Sequence, residues 1–161
     1  MQTMLAITAL LHTENDAIRL GRALEMLYPC DEIVIIDHGS HDGTIKLAHE
    51  YGARVVEAEA RALQERYLQH VHHGWILCID PREAVTESLV ATFFEWKSQL
   101  AHPSTPFSIH IREETTTGWI ARPTPETRLV PANWTRWHGK FPANDPSAVL
   151  LEGELLWFAF P

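Results

Sequence analysis

The stretch Glu32-Ile33-Val34-Ile35-Ile36-Asp37-His38-Gly39-Ser40-His41-Asp42-Gly43-Thr44 decides the reading of this chain. Four consecutive β-branched apolar residues, Ile33 to Ile36, suit a strand buried on both faces, as in a parallel sheet. The run stops at a carboxylate, Asp37, which places an acid at the carboxyl end of the strand, where open α/β sheets bind ligands. Gly39 and Gly43 let the backbone turn into a helix spanning Thr44 to Tyr51, with Asp42 as its N-cap and Gly52 as its stop.

Working outward, the same alternation repeats. Met4 to His12 reads as a first strand, followed by the polar turn Thr13 to Asp16. A helix from Asp16 to Tyr28 then carries Ala17, Leu20, Leu24 and Leu27 on one face, and Pro29 ends it. Downstream, Ala53 to Glu57 predicts a third strand, and Arg61 to His73 a third helix with Leu63, Tyr67, His70 and Val71 on its inner face. Trp75 to Ile79 predicts a central parallel strand, again ending at an aspartate, Asp80. Thr86 caps a helix to about Leu100, with Leu89, Val90, Phe93 and Phe94 facing inward. After His102, prolines break the chain into short β pieces: Phe107 to Glu113, Trp119 to Arg122, Arg128 to Val130 and Val149 to Phe158. The expected architecture is a wound, mostly parallel α/β sheet with helices on both faces and a small β extension at the C-terminal side. It forms one domain over residues 1–161, with a ligand-binding half at 1–102 and an extension at 103–161. Asp37 and Asp80 share one rim, unless each serves only to cap the helix that follows it.

Composition narrows the function. Thirteen basic against 21 acidic residues give a formal charge of -8 and argue against nucleic acid as a partner. With Cys30 and Cys78 the only cysteines there is no disulfide framework and no zinc-finger spacing, which fits a reducing cytoplasm. The apolar run Met4 to Leu11 is too short to span a bilayer, so no transmembrane segment is expected. His12 to Asp16 lacks the glycines of a dinucleotide-binding turn, and no Walker A sequence occurs. His38 with His41, and His72 with His73, lack the spacing of a recognised metal site.

The stretch Asp31 to Thr44 resembles the first nucleotide-binding signature of the family 2 glycosyltransferases of the GT-A fold, especially the branch acting on lipopolysaccharide cores. Asp31, Glu32, Ile33, Val34, Asp37, Gly39, Ser40, Asp42, Gly43 and Thr44 carry the match, while His38 and His41 replace the usual Ser and Thr. Thr13, Asn15 and Asp16 are similar to its T-x-N-E turn, and Gly52, Ala53, Val55 and Val56 to its third strand. Arg66 falls where the family commonly has a basic residue. The resemblance implies a GT-A-like Rossmann-type sheet, a C-terminal acceptor side shorter than usual, and transfer of a sugar from a UDP-type nucleotide to an acceptor hydroxyl with inversion. It also implies that His12, Thr13, Glu14, Asp37, Gly39, Ser40, Arg66 and Asp80 surround the nucleotide.

The family's D-x-D-E motif, whose second Asp binds the divalent metal, reads here Asp80-Pro81-Arg82-Glu83. Trp137 to Pro142 aligns with a segment that usually ends in H-E, and Phe141 and Pro142 stand in those places. The resemblance implies Mg²⁺ or Mn²⁺ at Asp80, but a guanidinium offers no oxygen to a hard cation, which argues against ordinary metal binding. Arg82 is the candidate catalytic residue: either it meets the diphosphate directly, or it pairs with Glu83 or Asp80 or points into solvent on a site that has lost activity. No spacing singles out a base, and Glu113, Glu114 and Asp145 read as surface charges. Trp119, Trp134, Trp137 and Trp157 form a sugar-stacking wall, an interface or core. The run Trp157 to Phe160 is expected to pack back on the sheet or against a second subunit, giving a homodimer. The implied acceptor is a saccharide or a lipid-linked one, reached in the cytoplasm or at the inner face of a membrane. The alternative is a degenerate module that binds a nucleotide sugar without turnover, as a sensor or partner protein; a structural domain without a ligand is a third reading.

Overall fold

The computed structural model describes residues 5–72, 74–99 and 104–161. Met4, His73, Leu100, His102 and Pro103, to which strand, helix and boundary roles were assigned above, lie outside the described residues.

Four strands are parallel: β1 (Ile7–Thr13), β2 (Glu32–Asp37), β3 (Arg54–Glu57) and β4 (Trp75–Cys78), side by side in the order β3-β2-β1-β4. Their apolar runs are closed off from water on both faces: Leu10, Leu11, Val34, Ile35, Ile36, Ile76 and Leu77 are all buried. Two helices, α1 (Ala17–Glu25) and α2 (Thr44–Glu50), follow β1 and β2. α1 stops short of Tyr28 because the Leu27 and Cys30 N–H groups turn back onto the carbonyls of Leu24 and Leu27 ahead of Pro29. α2 ends on Gly52, whose φ of +76° closes the helix in the left-handed region.

The third helix is much shorter than its sequence pattern predicts. α3 covers only Gln64–Tyr67, with a 3₁₀ turn at Leu68–His70. Arg61, at φ +61°, lies outside helical conformation, and Leu63, expected on the inner face, is 75% exposed. Tyr67 and Gln64 anchor the segment, at 3% and 4% exposure.

Beyond β4 lie β5 (Glu83–Val85) and α4 (Glu87–Lys97), then β6 (Phe107–Thr115), β7 (Gly118–Ala121), β8 (Glu126–Pro131), β9 (Trp137–His138), β10 (Phe141–Pro142) and β11 (Val149–Trp157). The sheet continues from β4 as β8-β6-β11-β5, with β7 on β6, while β9 and β10 make a separate hairpin. β4 is therefore not flanked by parallel strands on both sides: the parallel run ends there, and β8 pairs with it antiparallel. Of nine strands, β1 to β4, β6 and β11 run one way and β5, β7 and β8 oppose them, so the sheet is mostly parallel.

Thr86 caps α4 as its sequence suggests, accepting the Leu89 N–H and donating to the Glu154 carbonyl at 2.7 Å. Leu89, Val90, Phe93 and Trp96 face inward, whereas Phe94 is 42% exposed against Tyr28. Neighbouring residues on a helix point about 100° apart, so Phe93 and Phe94 cannot share the inner face. α4 crosses β11 at Gly153, φ +101°, where any Cβ would fall 2.7 Å from the Leu89 nitrogen. One core joins α1, α2 and α4 to one face of the sheet; a second gathers Leu10, Val34, Ile36, Ile76 and Cys78 under Tyr67 and Trp134. No helix among the described residues is long and apolar enough to cross a membrane.

Candidate active site

β2 and β4 both run parallel to β1, so Asp37 and Asp80 emerge on the same edge of the sheet, with His12 and Thr13 between them. Above that edge lies a cleft of about 710 Å³. Its walls include His12 and Thr13 at the end of β1 and Glu14 just after it; His38 after β2; Arg19 of α1; Asp80, Pro81 and Arg82 after β4; Gln64 and Tyr67 of α3; and Trp137, Gly139 and Lys140 of the β9–β10 hairpin.

The two aspartates have different surroundings. Asp37 is 3% exposed and accepts hydrogen bonds from the Thr13 hydroxyl (2.7 Å), the Ser40 hydroxyl (2.6 Å) and the Ser40 N–H (2.9 Å). Burial pushes its carboxyl up, but these bonds and one from the Gly39 N–H outweigh it and hold the group below the usual carboxylate value. Gly39, at φ +78°, makes the turn that lets both Ser40 donors reach the acid. Asn15 then fastens this loop to the one after β1: its N–H donates to the Ser40 hydroxyl and its side-chain oxygen accepts the His41 N–H. Asp42 accepts from the Thr44 and Ala17 N–H groups, joining the starts of α2 and α1. Asp37, Gly39 and Ser40 thus sit behind the cleft and shape its loops; they are not among the residues that line it.

Asp80 faces the cleft. One carboxylate oxygen accepts the Arg82 N–H at 2.8 Å, and the other accepts the Lys140 ammonium at 2.8 Å. Burial again works to raise its pKa, and Lys140 and the Arg82 N–H more than compensate. Beneath it, Glu83 accepts the Asp80 N–H and forms a bidentate pair with Arg128 at 2.6 and 2.8 Å. Arg128 and Glu83 are each 1% exposed, and Arg128 also lies over the Phe141 ring. Burial opposes the Arg128 charge, yet the Glu83 and Glu126 carboxylates raise its pKa. The Asp80–Glu83 turn therefore rests on a buried ion pair, and Glu83 is committed to Arg128 rather than to Arg82.

Across the cleft runs a line of hydrogen bonds. The Gln64 amide donates to the Lys140 carbonyl at 3.1 Å, which leaves its oxygen to accept from His12 Nε2 at 2.7 Å. His12 Nδ1 then accepts from His38 Nε2 at 2.8 Å. Burial, opposed by the Gln64 bond and assisted by His38 and Lys140, brings the His12 pKa down from 6.5 to about 4, so this imidazole is neutral at pH 7.

Arg66, expected near the nucleotide, pairs with exposed Glu59 at 2.6 Å and takes no part in the cleft wall. Glu113 and Asp145 are held by Arg122 and Arg136, and Glu114 accepts the Phe160 N–H. Of the tryptophans, Trp137 lines the cleft, Trp134 is buried, Trp157 faces Arg82, and Trp119 packs edge-on against Phe158. Both cysteines are free, and burial pushes each thiol up to about 12, which disqualifies them as nucleophiles. Lys140, Gln64, Glu65 and Arg19 are among the cleft residues that the sequence did not single out, and His38 stood out only as a departure from the motif; the clue to Lys140 was its place directly before Phe141, inside the segment aligned with H-E.

These residues do not fit a divalent cation. Each oxygen of Asp80 already accepts a hydrogen bond, one of them from an ammonium that repels a cation, Arg82 offers no oxygen, and no three His, Cys, Asp or Glu side chains converge on a common point among the described residues.

No family model matches the chain. It is 30% identical over 94 residues to a TPR repeat-containing protein of Synechococcus elongatus, covering 56% of this chain and 23% of that protein. It is also 30% identical over 87 residues to an uncharacterized glycosyltransferase of Rickettsia felis, covering 52% and 31%. The chain thus spans less than a third of either curated relative. Among solved structures, it matches glucosyl-3-phosphoglycerate synthase from Mycobacterium tuberculosis, in complex with Mn²⁺, UDP and phosphoglyceric acid. The TM-score is 0.50 at 19% identity, over 68% of this chain and 43% of that one. It matches S. aureus TarS with a TM-score of 0.51 at 15% identity, over 80% of this chain and 28% of that one. The fold is GT-A-like. In GT-A-like terms the cleft lies outside the carboxyl ends of the parallel strands, beside the point where β8 reverses the strand direction next to β4.

Proposed function

We propose that this chain binds a nucleotide-diphosphate sugar of the uridine type and transfers the sugar, with inversion, to the hydroxyl of a saccharide or lipid-linked acceptor. The observation that carries the reading is the cleft itself. Its volume, about 710 Å³, falls within the range of small-molecule sites, and it opens at the strand ends of a GT-A-like sheet. His12, Thr13, Glu14 and Asp80 line it directly, and Asp37, Gly39 and Ser40 back it by fixing the loop beside Thr13. Trp137 supplies an aromatic face of the kind on which sugars stack.

In the reaction, the acceptor oxygen bonds to the anomeric carbon from the side opposite the diphosphate. The glycosidic C–O bond breaks with its electron pair remaining on the diphosphate, and the acceptor proton passes to a carboxylate in the cleft wall. Glu14 and Glu65 line the cleft and have no ion pair among the described residues, so they are the acids available for that proton.

A second reading, a nucleotide-sugar-binding module without turnover, is favoured by one observation: the carboxylate that remains of the D-x-D motif, Asp80, is paired with Lys140. A thermal-shift screen with UDP-sugars tests whether the cleft is a nucleotide site, since stabilisation grows with ligand concentration over Kd. Stabilisation by UDP and its sugars is expected, and no shift with any nucleotide overturns the reading. Release of UDP from a UDP-sugar on addition of saccharide acceptors, with the product's anomeric configuration read by NMR, then separates transferase from binding module.

A further inference from the structure

We infer that Lys140 and Arg82 together form a permanent cationic seat for the diphosphate, in place of a divalent metal. The inference rests on the reading of the cleft as a nucleotide-sugar site and goes beyond it by naming how the leaving group is held.

Three observations converge. First, the ammonium of Lys140 lies 2.8 Å from an Asp80 oxygen, and a lysine has three N–H donors, so two remain for a phosphate. Second, Arg82 lines the same cleft with no carboxylate paired to its guanidinium among the described residues; its guanidinium carbon lies 5.5 Å from the centre of the Trp157 ring, a cation–π contact. An unpaired guanidinium fits a phosphate oxygen pair in a planar, bidentate way that a lysine cannot. Third, the backbone delivers Lys140 deliberately. The β9–β10 hairpin turns through Gly139 and Lys140, with Gly139 at φ +63°, the conformation a two-residue turn asks of its first central residue. The Lys140 carbonyl is then tied to Gln64 of α3.

The charge arithmetic supports the exchange. Asp80 carries one negative charge, and Lys140 and Arg82 one positive charge each, so the seat has a net charge of about +1 before any ligand enters. A hard cation at the same place would have to displace the Lys140 ammonium from Asp80, and the incoming diphosphate would lose the donors that Lys140 has left over. When the glycosidic bond breaks and its electron pair moves onto the diphosphate, both side chains are in position to stabilise the added charge.

The test is isothermal titration of the whole chain with UDP and with uridine, in EDTA and in Mn²⁺, for the natural sequence and for Lys140→Met, Lys140→Arg and Arg82→Met. The expected result is UDP binding in EDTA that Mn²⁺ does not tighten. Each Met variant should weaken UDP by about tenfold to a hundredfold, the worth of a charge-assisted hydrogen bond, with uridine unchanged and Lys140→Arg largely restored. UDP binding that requires Mn²⁺, or Met variants that bind UDP as the natural chain does, overturns the seat while leaving the nucleotide reading intact. Absence of binding by UDP and uridine alike under every condition overturns both. Equal losses for UDP and uridine in the Met variants also count against the seat, since they report general disruption of the cleft.

Discussion

Asp37 and Asp80 begin as the same sequence signal, an apolar strand that ends in an acid, and finish in different employment. Asp37 lies deep in the parallel run, where the loops after β1 and β2 close over it, and Thr13 and Ser40 use up its oxygens. Asp80 follows the last strand of that run, which has parallel β1 on one side only and antiparallel β8 on the other. It opens on the cleft and meets Lys140 from a hairpin 60 residues away. The two acids differ in what flanks their strands: β2 has a parallel neighbour on each side, and β4 a parallel one on one side and an antiparallel one on the other.

That contrast can be broken at its support. Arg128→Met leaves Glu83 charged and buried beneath the Asp80 turn, and chemical denaturation should show a loss of about 3–5 kcal/mol. It can be sharpened by removing each aspartate in turn. Asp37→Ala strands the Thr13 and Ser40 donors and should cost about 1–3 kcal/mol, whereas Asp80→Asn keeps an acceptor for the Arg82 N–H and should cost roughly 1 kcal/mol or less.

A titration separates the cleft from the aspartates by pH window. His12 has its folded pKa depressed from 6.5 to about 4, so between those values the unfolded chain binds the extra proton. Stability should thus fall as pH drops from 6.5 toward 4, and His12→Gln should flatten that slope in pH-dependent melting. Asp37 and Asp80, with pKa values below 3.8, contribute stability that is lost only as pH falls beneath that value. The smallest effect belongs to Arg66→Ala: its pair with Glu59 is on the surface, and neither melting temperature nor UDP affinity should change measurably.

Much of the parallel half could be read from the sequence because its signals are local. Ile33 to Ile36, Gly39, Gly52 and Thr86 each act on their immediate neighbours, and each does in the structure what its chemistry suggests. The cleft was less legible because its contacts join distant residues. β5, β9 and β10 are two or three residues long, too short for any periodicity to register. The pairing of Glu83 with Arg128, 45 residues apart, and of Asp80 with Lys140 depends on strand order, which no local pattern encodes. α3 departed in the opposite direction: Arg61 adopts a left-handed conformation and Leu63 is exposed, so the helix is confined to Gln64–Tyr67, while Tyr67 and Val71 still pack on the second core.

The line from His38 through His12 and Gln64 to Lys140 has a practical consequence. It couples the hairpin that carries the ammonium to the imidazoles on the far wall, so any guest that pulls on Lys140 also shifts the partner of His12. The ring protons of these two histidines are a built-in reporter: an NMR spectrum of the unlabelled chain would register arrival of a phosphate at one bank of the cleft as a chemical-shift change on the other.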